Sequence, residues 1–196
     1  MKPGLLLFRK FGERVVVGDS VVVAPEFPVT FFTMDGVVHS LSYILDDNHI
    51  ENAIIPQGTK DWCWVLGGES FRDESCTLHL VPVNSIGKIG LLDDKTTMKL
   101  SLVKGEEVVI PECFGKKISF SHNSVMVSMD IMGAHNKPEA STEMYCDVNS
   151  TMPILAPNGV KFEVTVESFR GVAGCSMRFN AEQDTSIMRE ELLERA

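Results

Sequence analysis

The sequence predicts an all-β fold that ends in one short helix. Short apolar and β-branched runs recur along the chain, and glycine, proline or Asp-Gly separates them. Helical spacing of apolar residues is clear only near the C-terminus. With 196 residues, of which 44% are hydrophobic and 23% charged, the chain can bury one large core or two small ones. We therefore expect a soluble globular protein built mainly from sheets.

The first quarter of the chain carries clear strand signals. Residues 5–8 and 15–23 are apolar runs that predict two strands. Pro25 and Pro28 interrupt the next run, which indicates an edge strand or a loop there. Asp35-Gly36 stands between two apolar runs, 29–33 and 37–44, and predicts a hairpin turn.

The middle and the end of the chain continue the β pattern. Trp62 and Trp64 alternate onto one face of a strand, with Gly67-Gly68 as its turn. Residues 46–55 fit one short helix, and a second helix is predicted over 187–195 with Ser186 or Asp184 as its cap. Further strands are predicted at 77–81, 86–89, 98–103, 108–110, 117–120, 125–131 and 160–166.

Cysteine usage and the start of the chain bear on the compartment. The five cysteines are widely spread and contain no Cys-x-x-Cys pair, which favours reduced thiols over a disulfide framework. No apolar run approaches the roughly 18 residues of a membrane span. Arg9 and Lys10 interrupt the first apolar stretch, which argues against a secretory signal. We expect a cytoplasmic protein with no membrane partner.

The net charge of −9 is unevenly distributed along the chain. Residues 1–19 hold four basic and two acidic side chains, and residues 160–196 hold five basic and seven acidic ones. The acidic excess therefore lies in the middle. A surface that binds phosphate would have to come from the two ends.

Those two ends share a joint pattern. The first, Leu5 to Asp19, is an apolar strand ending in Arg9-Lys10, followed by Gly12-Glu13, three valines and Gly18-Asp19. The second, residues 160–192, is an alternating strand, then Met177 to Ala181, then a strand that runs into Arg189-Glu190-Glu191. Joined in that order, the two stretches resemble one protomer of the carbon storage regulator family (CsrA/RsmE), small RNA-binding repressors of translation.

The resemblance implies an intertwined β-sandwich or barrel, in which the first strand of one subunit lies beside the last strand of the other. Residues 5–10 are then expected to pair with the strand near 185–189. The module would be split into 1–23 plus 158–196, with 24–157 inserted between them. Residues 100–110 echo the first strand and Ser124 to Met132 echo Met177 to Ala181, so the insertion is a candidate for decayed, CsrA-like repeats.

The resemblance also implies a function, which is repression of translation by binding a GGA-containing hairpin loop or single strand of mRNA. Unpaired bases expose edges that backbone groups of a strand can read, while basic side chains hold phosphates. No cofactor or metal is expected. The partners implied are RNA, a possible protein antagonist, and either a second subunit in a homodimer or a single-chain pseudo-dimer. The expected RNA-binding residues are Leu7, Arg9, Lys10, Ala181, Ile187 and Arg189.

Several positions depart from the family pattern and support an alternative. Phe8 replaces a polar residue, Lys10 an arginine, Glu182-Gln183 a Pro-Lys pair and Met188 a histidine, while Tyr145 falls where a second copy would need its arginine. The alternative is a protein-interaction or structural β-protein that kept the fold and lost RNA binding. An enzyme is not expected, because the histidines lack metal-ligand spacing and no phosphate-binding or nucleophile motif is present.

Overall fold

The computed structural model describes residues 4–42, 61–70, 74–82, 98–110, 115–133, 137–170 and 173–193. Within these ranges the chain forms strands and one short helix, which confirms the predicted all-β fold with a C-terminal helix. The elements are β1 (Leu5–Arg9), β2 (Val15–Val17), β3 (Val21–Met34), β4 (Val37–Ser42), β5 (Trp62–Ser70), β6 (Ser75–Pro82), β7 (Met98–Val103), β8 (Glu107–Ile110), β9 (Lys116–Met132), β10 (Pro138–Asp147), β11 (Thr151–Leu155), β12 (Lys161–Phe169), β13 (Cys175–Ala181), β14 (Ile187–Arg189) and α1 (Glu190–Leu193).

The chain divides into two compact units. The terminal unit consists of Met1–Pro28 and Ser124–Ala196, and the inserted unit consists of Val29–Asn123. The terminal unit thus contains both stretches of the predicted split module. It also contains residues 24–28 and 124–157, which the sequence led us to place in the insertion.

The terminal unit is a β-sandwich. One sheet has the order β1-β13-β12-β11, and the other runs β10-β9-β3-β2-β14. Both sheets have open ends among the described strands, so the closed barrel that we considered is not formed. Apolar side chains from both sheets form one core, including Leu7, Val17, Val127, Val164, Met177 and Phe179.

The two sheets of the terminal unit repeat one strand order. In chain order this unit has β1, β2, β3 and β9, followed by β10, β11, β12, β13 and β14. The first half of the unit is β1, β2, β3 and β9, and the second half is β10 to β14. In one sheet, β1 from the first half lies beside β13, β12 and β11 from the second half. In the other sheet, β10 from the second half lies beside β9, β3 and β2 from the first half. β9 and β13, whose sequences echo each other, hold equivalent places in the two sheets. The echo at residues 100–110 lies instead in the inserted unit.

The predicted pairing of residues 5–10 with the strand near 185–189 is wrong. β1 pairs antiparallel with β13, with Leu7 opposite Met177. β14 pairs with β2, with Met188 opposite Val16. The register of β1 is set by its buried residue, because Leu7 and Met177 enter the same core. β1 and β14 therefore form the ends of two different sheets.

Local turn signals were overridden at two places. Pro25 and Pro28 lie inside β3. This strand pairs with β2 up to Val23 and with β4 from Val29 onward, so the two prolines fall between these pairings and interrupt neither of them. β5 continues through Gly67-Gly68 with a register shift between Leu66 and Gly68, so the turn predicted there is wrong.

Other predicted boundaries differ as well. The predicted strands 117–120 and 125–131 are one strand, β9. β10 and β11 were not predicted, because β10 is rich in polar residues and β11 contains Pro153. Residues 187–189 form β14, as expected for the strand near 185–189, so the helix predicted over 187–195 begins only at Glu190. The helix predicted at 46–55 and the strand at 86–89 lie outside the described residues.

The inserted unit has its own core. β5, β6 and β7 form a three-stranded sheet, and β4 and β8 pair with β3 and β9. Trp64 is fully buried, whereas Trp62 is 41% exposed, so Trp64 is a core residue. Its neighbours in this core include Phe32, Leu78, Leu102 and Ile118.

Candidate nucleic-acid interface

Arg9 makes a buried ion pair at the end of β1. Its side chain is 3% exposed, and its Nη1 and Nη2 atoms donate to Oε1 and Oε2 of Glu191 at 2.9 and 3.0 Å. Nη2 also lies 3.1 Å from Oε2 of Glu13. This two-pronged contact, together with Glu13, is called the Arg9 clamp below. It fits the planar guanidinium better than it would fit a lysine.

The Arg9 clamp joins the N-terminal strand to the C-terminal helix. Glu13 also accepts a hydrogen bond from the backbone amide of Lys10 at 3.0 Å, which holds the turn after β1. The hydrogen bonds from Arg9 lower the pKa of Glu191 below its ordinary value, and Arg189 adds a smaller electrostatic effect. Because Arg9 is buried and already paired, it positions β1 and does not offer an open phosphate contact.

A second ion pair holds the start of α1. Nη1 of Arg14 lies 3.3 Å from Oε1 of Glu190, and Nη2 lies 3.8 Å from Oδ2 of Asp130. The backbone amide of Glu190 donates to the carbonyl of Arg14 at 3.3 Å. Both glutamates of the Arg189-Glu190-Glu191 sequence are thus engaged by arginines from the other end of the chain.

Two cations remain exposed beside these ion pairs. Lys10 follows Arg9 directly, and Arg189 precedes Glu190 at the end of β14. Both side chains are exposed, and neither forms an ion pair with another residue of the described ranges. We call the place where β1, residues 181–189 and α1 meet the seam. Lys10 and Arg189 are thus exposed cations of the seam.

An open groove lies at the seam. Its volume is about 820 Å³, within the range of roughly 300–1,000 Å³ that is typical of ligand clefts. Leu5 contributes from β1, while Ala181, Thr185 and Ile187 contribute from the segment that leads into β14. The remaining lining comes mainly from β11, β12 and β13. Segment 182–186 has no strand pairing, and Glu182, Gln183 and Thr185 line the groove, although the Thr185 amide already donates to the Glu182 carbonyl at 3.0 Å.

Acidic side chains limit the charge of the seam. Glu163 and Glu182 line the groove, where Lys161 is the cation. A smaller polar hollow of about 350 Å³ lies near Gly18 and is lined by Asp19, Glu182 and Asp184. In the part of the chain that the structure describes, no group of three His, Cys, Asp or Glu side chains could hold a metal ion.

The structure brings most of the predicted residues to the seam. Ala181 and Ile187 line the groove, whereas Arg9 and Lys10 at the end of β1 and Arg189 at the end of β14 are not among its lining residues. Leu7 is an exception, because its side chain is 8% exposed and belongs to the core.

Sequence reasoning missed the acidic partners of this site. Glu13 stands four residues after Arg9, but that spacing is a meaningful signal only on a helix. Glu191 is 182 residues away from Arg9, and nothing local indicates that pair.

No protein-family model, curated protein or solved structure matches this chain. Among the described residues, no helix is long and apolar enough to cross a membrane.

Proposed function

We propose that this chain binds GGA-containing RNA at the seam and represses translation by occupying that site. The observation that carries the proposal is the meeting of both chain ends at one open groove. Leu5 of β1 and the residues before β14 line that groove. The Arg9 clamp supports this arrangement by tying β1 to the helix that follows β14.

The groove offers the kind of contact that single-stranded RNA needs. β1 ends its sheet, so the backbone groups on its outer side have no strand partner among the described residues. Unpaired bases can hydrogen-bond to such groups and to the backbone of 182–186. Lys10 and Arg189 would contact phosphates, and Arg9 would keep β1 in place.

The proposal implies one RNA site for each chain. The seam needs a strand equivalent to β1 beside a strand equivalent to β14. In the other half of the terminal unit, β10 takes the place of β1, but between β9, which ends at Met132, and β10, which begins at Pro138, the described residues contain no strand. A second seam therefore lacks its last strand.

The acidic surroundings support a second candidate function, a protein-interaction module that has lost RNA binding. Arg9 and Arg14 are both paired with carboxylates, so they do not add to an open basic surface. The net charge of −9 also opposes the approach of RNA. This candidate predicts that a GGA RNA will not be preferred over other sequences.

A fluorescence-anisotropy titration distinguishes the two functions. The probe is a labelled hairpin with GGA in its loop, and the control RNA has the same stem with CCU in the loop. We expect tighter binding to the GGA hairpin. We expect Arg189→Ala to weaken binding of both hairpins by a similar factor, because a phosphate contact does not depend on the base sequence. Lys137→Ala is the matched control, because Lys137 is an exposed cation in the terminal unit that directly precedes β10 and belongs to none of the elements that form the seam.

The salt dependence separates phosphate contacts from base contacts. Lys10→Ala should weaken binding of both hairpins equally and reduce the slope of log affinity against log salt by about one. Equal affinity of the wild type for both hairpins, or no binding at low salt, refutes the RNA proposal in favour of the protein-interaction module.

A further inference from the structure

The outer edge of β11 is an open strand edge. β11 is the last strand of its sheet, and no described strand pairs with its outer side. In the equivalent place of the other sheet, β14 covers β2, with Met188 opposite Val16. By this equivalence, a strand is expected beside the outer edge of β11, but no described strand lies there. We propose that a second copy of this chain fills it, through an antiparallel β11–β11 pair on a two-fold axis.

The direction of each backbone group on β11 follows from its pairing with β12. The amide of Ala156 donates to the carbonyl of Val160 at 2.9 Å, which marks a hydrogen-bonded pair. Hydrogen-bonded and non-hydrogen-bonded pairs alternate in an antiparallel ladder. Ile154, opposite Phe162, therefore bonds to β12, whereas Pro153 and Leu155 direct their backbone groups outward.

Pro153 restricts what can pair with this edge. It offers a carbonyl but no amide, so a strand that needs a donor at this position is disfavoured. A second β11, centred on Ile154, meets this restriction. It places Leu155 opposite Pro153, so the amide of each Leu155 donates to the carbonyl of Pro153 in the other copy. The symmetry forms this bond twice, and the carbonyl of each Leu155, which would otherwise accept from the missing amide of Pro153, stays exposed to water.

The side chains of β11 favour the same register. Leu155 is 67% exposed, the largest exposure of any large apolar side chain in the described residues. Pro153 is also exposed, and alternation puts it on the same face of the sheet as Leu155. In the proposed pair, each Leu155 packs on the Pro153 of the other copy and is removed from water.

β11 also lacks the charges that usually protect a sheet edge. Its sequence, TMPIL, contains no charged residue. β1 ends at Arg9-Lys10, and β10, which ends the other sheet, carries the exposed residues Glu139 and Glu143. Charges on an edge strand discourage pairing with another chain. Of these three strands, only β11 has no charged residue within it or directly after it.

Sedimentation equilibrium of the full chain, freed of nucleic acid, tests the dimer. The interface is small, so we expect a concentration-dependent monomer–dimer equilibrium between about 5 and about 500 µM. Leu155→Lys should shift the dissociation constant at least tenfold toward monomer. Val38→Lys is the control, because Val38 is similarly exposed at 63% but lies on β4, and it should leave the equilibrium unchanged. A wild type that stays monomeric throughout overturns the proposal and leaves the edge to a strand of another protein.

Cysteine pairs test the register. Pro153→Cys combined with Leu155→Cys should give a covalent dimer under mild oxidation, because opposite residues of a hydrogen-bonded pair have Cα atoms about 5.5 Å apart. Leu155→Cys alone should crosslink at least tenfold more slowly, since its copy is diagonal to it at about 7–8 Å. Equal rates for the two variants refute the register centred on Ile154. Pro153 and Leu155 also line the groove, so the dimer and RNA would share these residues. The dimer is measured without RNA, so a failed RNA titration leaves it standing.

Discussion

Replacing Arg9 by alanine removes the contact that joins the two ends of the chain. The guanidinium makes charge-assisted hydrogen bonds to both oxygens of Glu191 and contacts Glu13. The side chain is 3% exposed, so its methylene groups are also buried. Arg9→Ala therefore loses packing and ionic contacts together. Arg9→Met retains most of the packing, and Arg9→Lys retains the charge without the planar fork.

The magnitudes separate these contributions. Truncation to alanine exposes or removes two buried methylenes, which contributes about 1.6 kcal/mol at about 0.8 kcal/mol each. The hydrogen bonds add about 1 kcal/mol, because both carboxylates are partly exposed, at 39% and 45%, and regain water when Arg9 is lost. We expect Arg9→Ala to reduce the free energy of unfolding by about 2–3 kcal/mol, and Arg9→Lys and Arg9→Met by about 1 kcal/mol or less.

Two measurements report on the terminal unit. Urea unfolding followed by far-UV circular dichroism gives the change in stability of the chain. Fluorescence of Trp62 and Trp64 reports on the inserted unit, where both residues lie, and serves as an internal control. Hydrogen exchange of the amides in β1 and β13 locates the effect, and Arg9→Ala should increase exchange there before it does so in β6.

Two results would refute the reasoning. A change of less than about 0.5 kcal/mol for Arg9→Ala would show that the Arg9 clamp does not stabilise the fold, because surface substitutions lie within that limit. Equal losses for Arg9→Met and Arg9→Ala would show that buried packing of the stem contributes nothing.

Three further predictions concern the same unit. Gly174→Ala should destabilise the fold by more than about 2 kcal/mol in urea unfolding. Gly174 has φ +147°, and an added Cβ would lie 2.2 Å from the carbonyl oxygen of Arg9. An unchanged unfolding midpoint would contradict this prediction. Burial raises the pKa of Cys146 and Cys175 to about 12, so both thiols should resist alkylation at pH 8. The stability that the protonated thiols contribute should be intact below pH 9 and should be lost as the pH rises toward 12. The pKa of Glu191 is lowered from 4.5. The difference in stability between the wild type and Glu191→Gln should therefore be full above pH 4.5 and should disappear as the pH falls through the lower folded-state pKa. A difference that does not vary with pH would contradict the ion pair.

The sequence by itself determined the class of the fold and several of its strands. The alternating residues 160–166 predict a strand, and β12 covers nearly all of them. Asp35-Gly36 predicts a hairpin, and both residues have the positive φ values, 49° and 79°, that such a turn requires. These features are local, because side-chain alternation and turn geometry depend on a few neighbouring residues. Whether the seam binds RNA, and through which residues, stays a prediction that the titration will test.

Only the tertiary structure decided the partners of these strands and charges. β10 is a ten-residue strand despite its polar sequence, because it pairs with β9, whose buried residues belong to the core. Arg9 resembled a phosphate contact in the sequence, yet it is buried against Glu191 from the far end of the chain. The energy of an ion pair depends on distance and burial, and neither can be read from a sequence before the chain has folded.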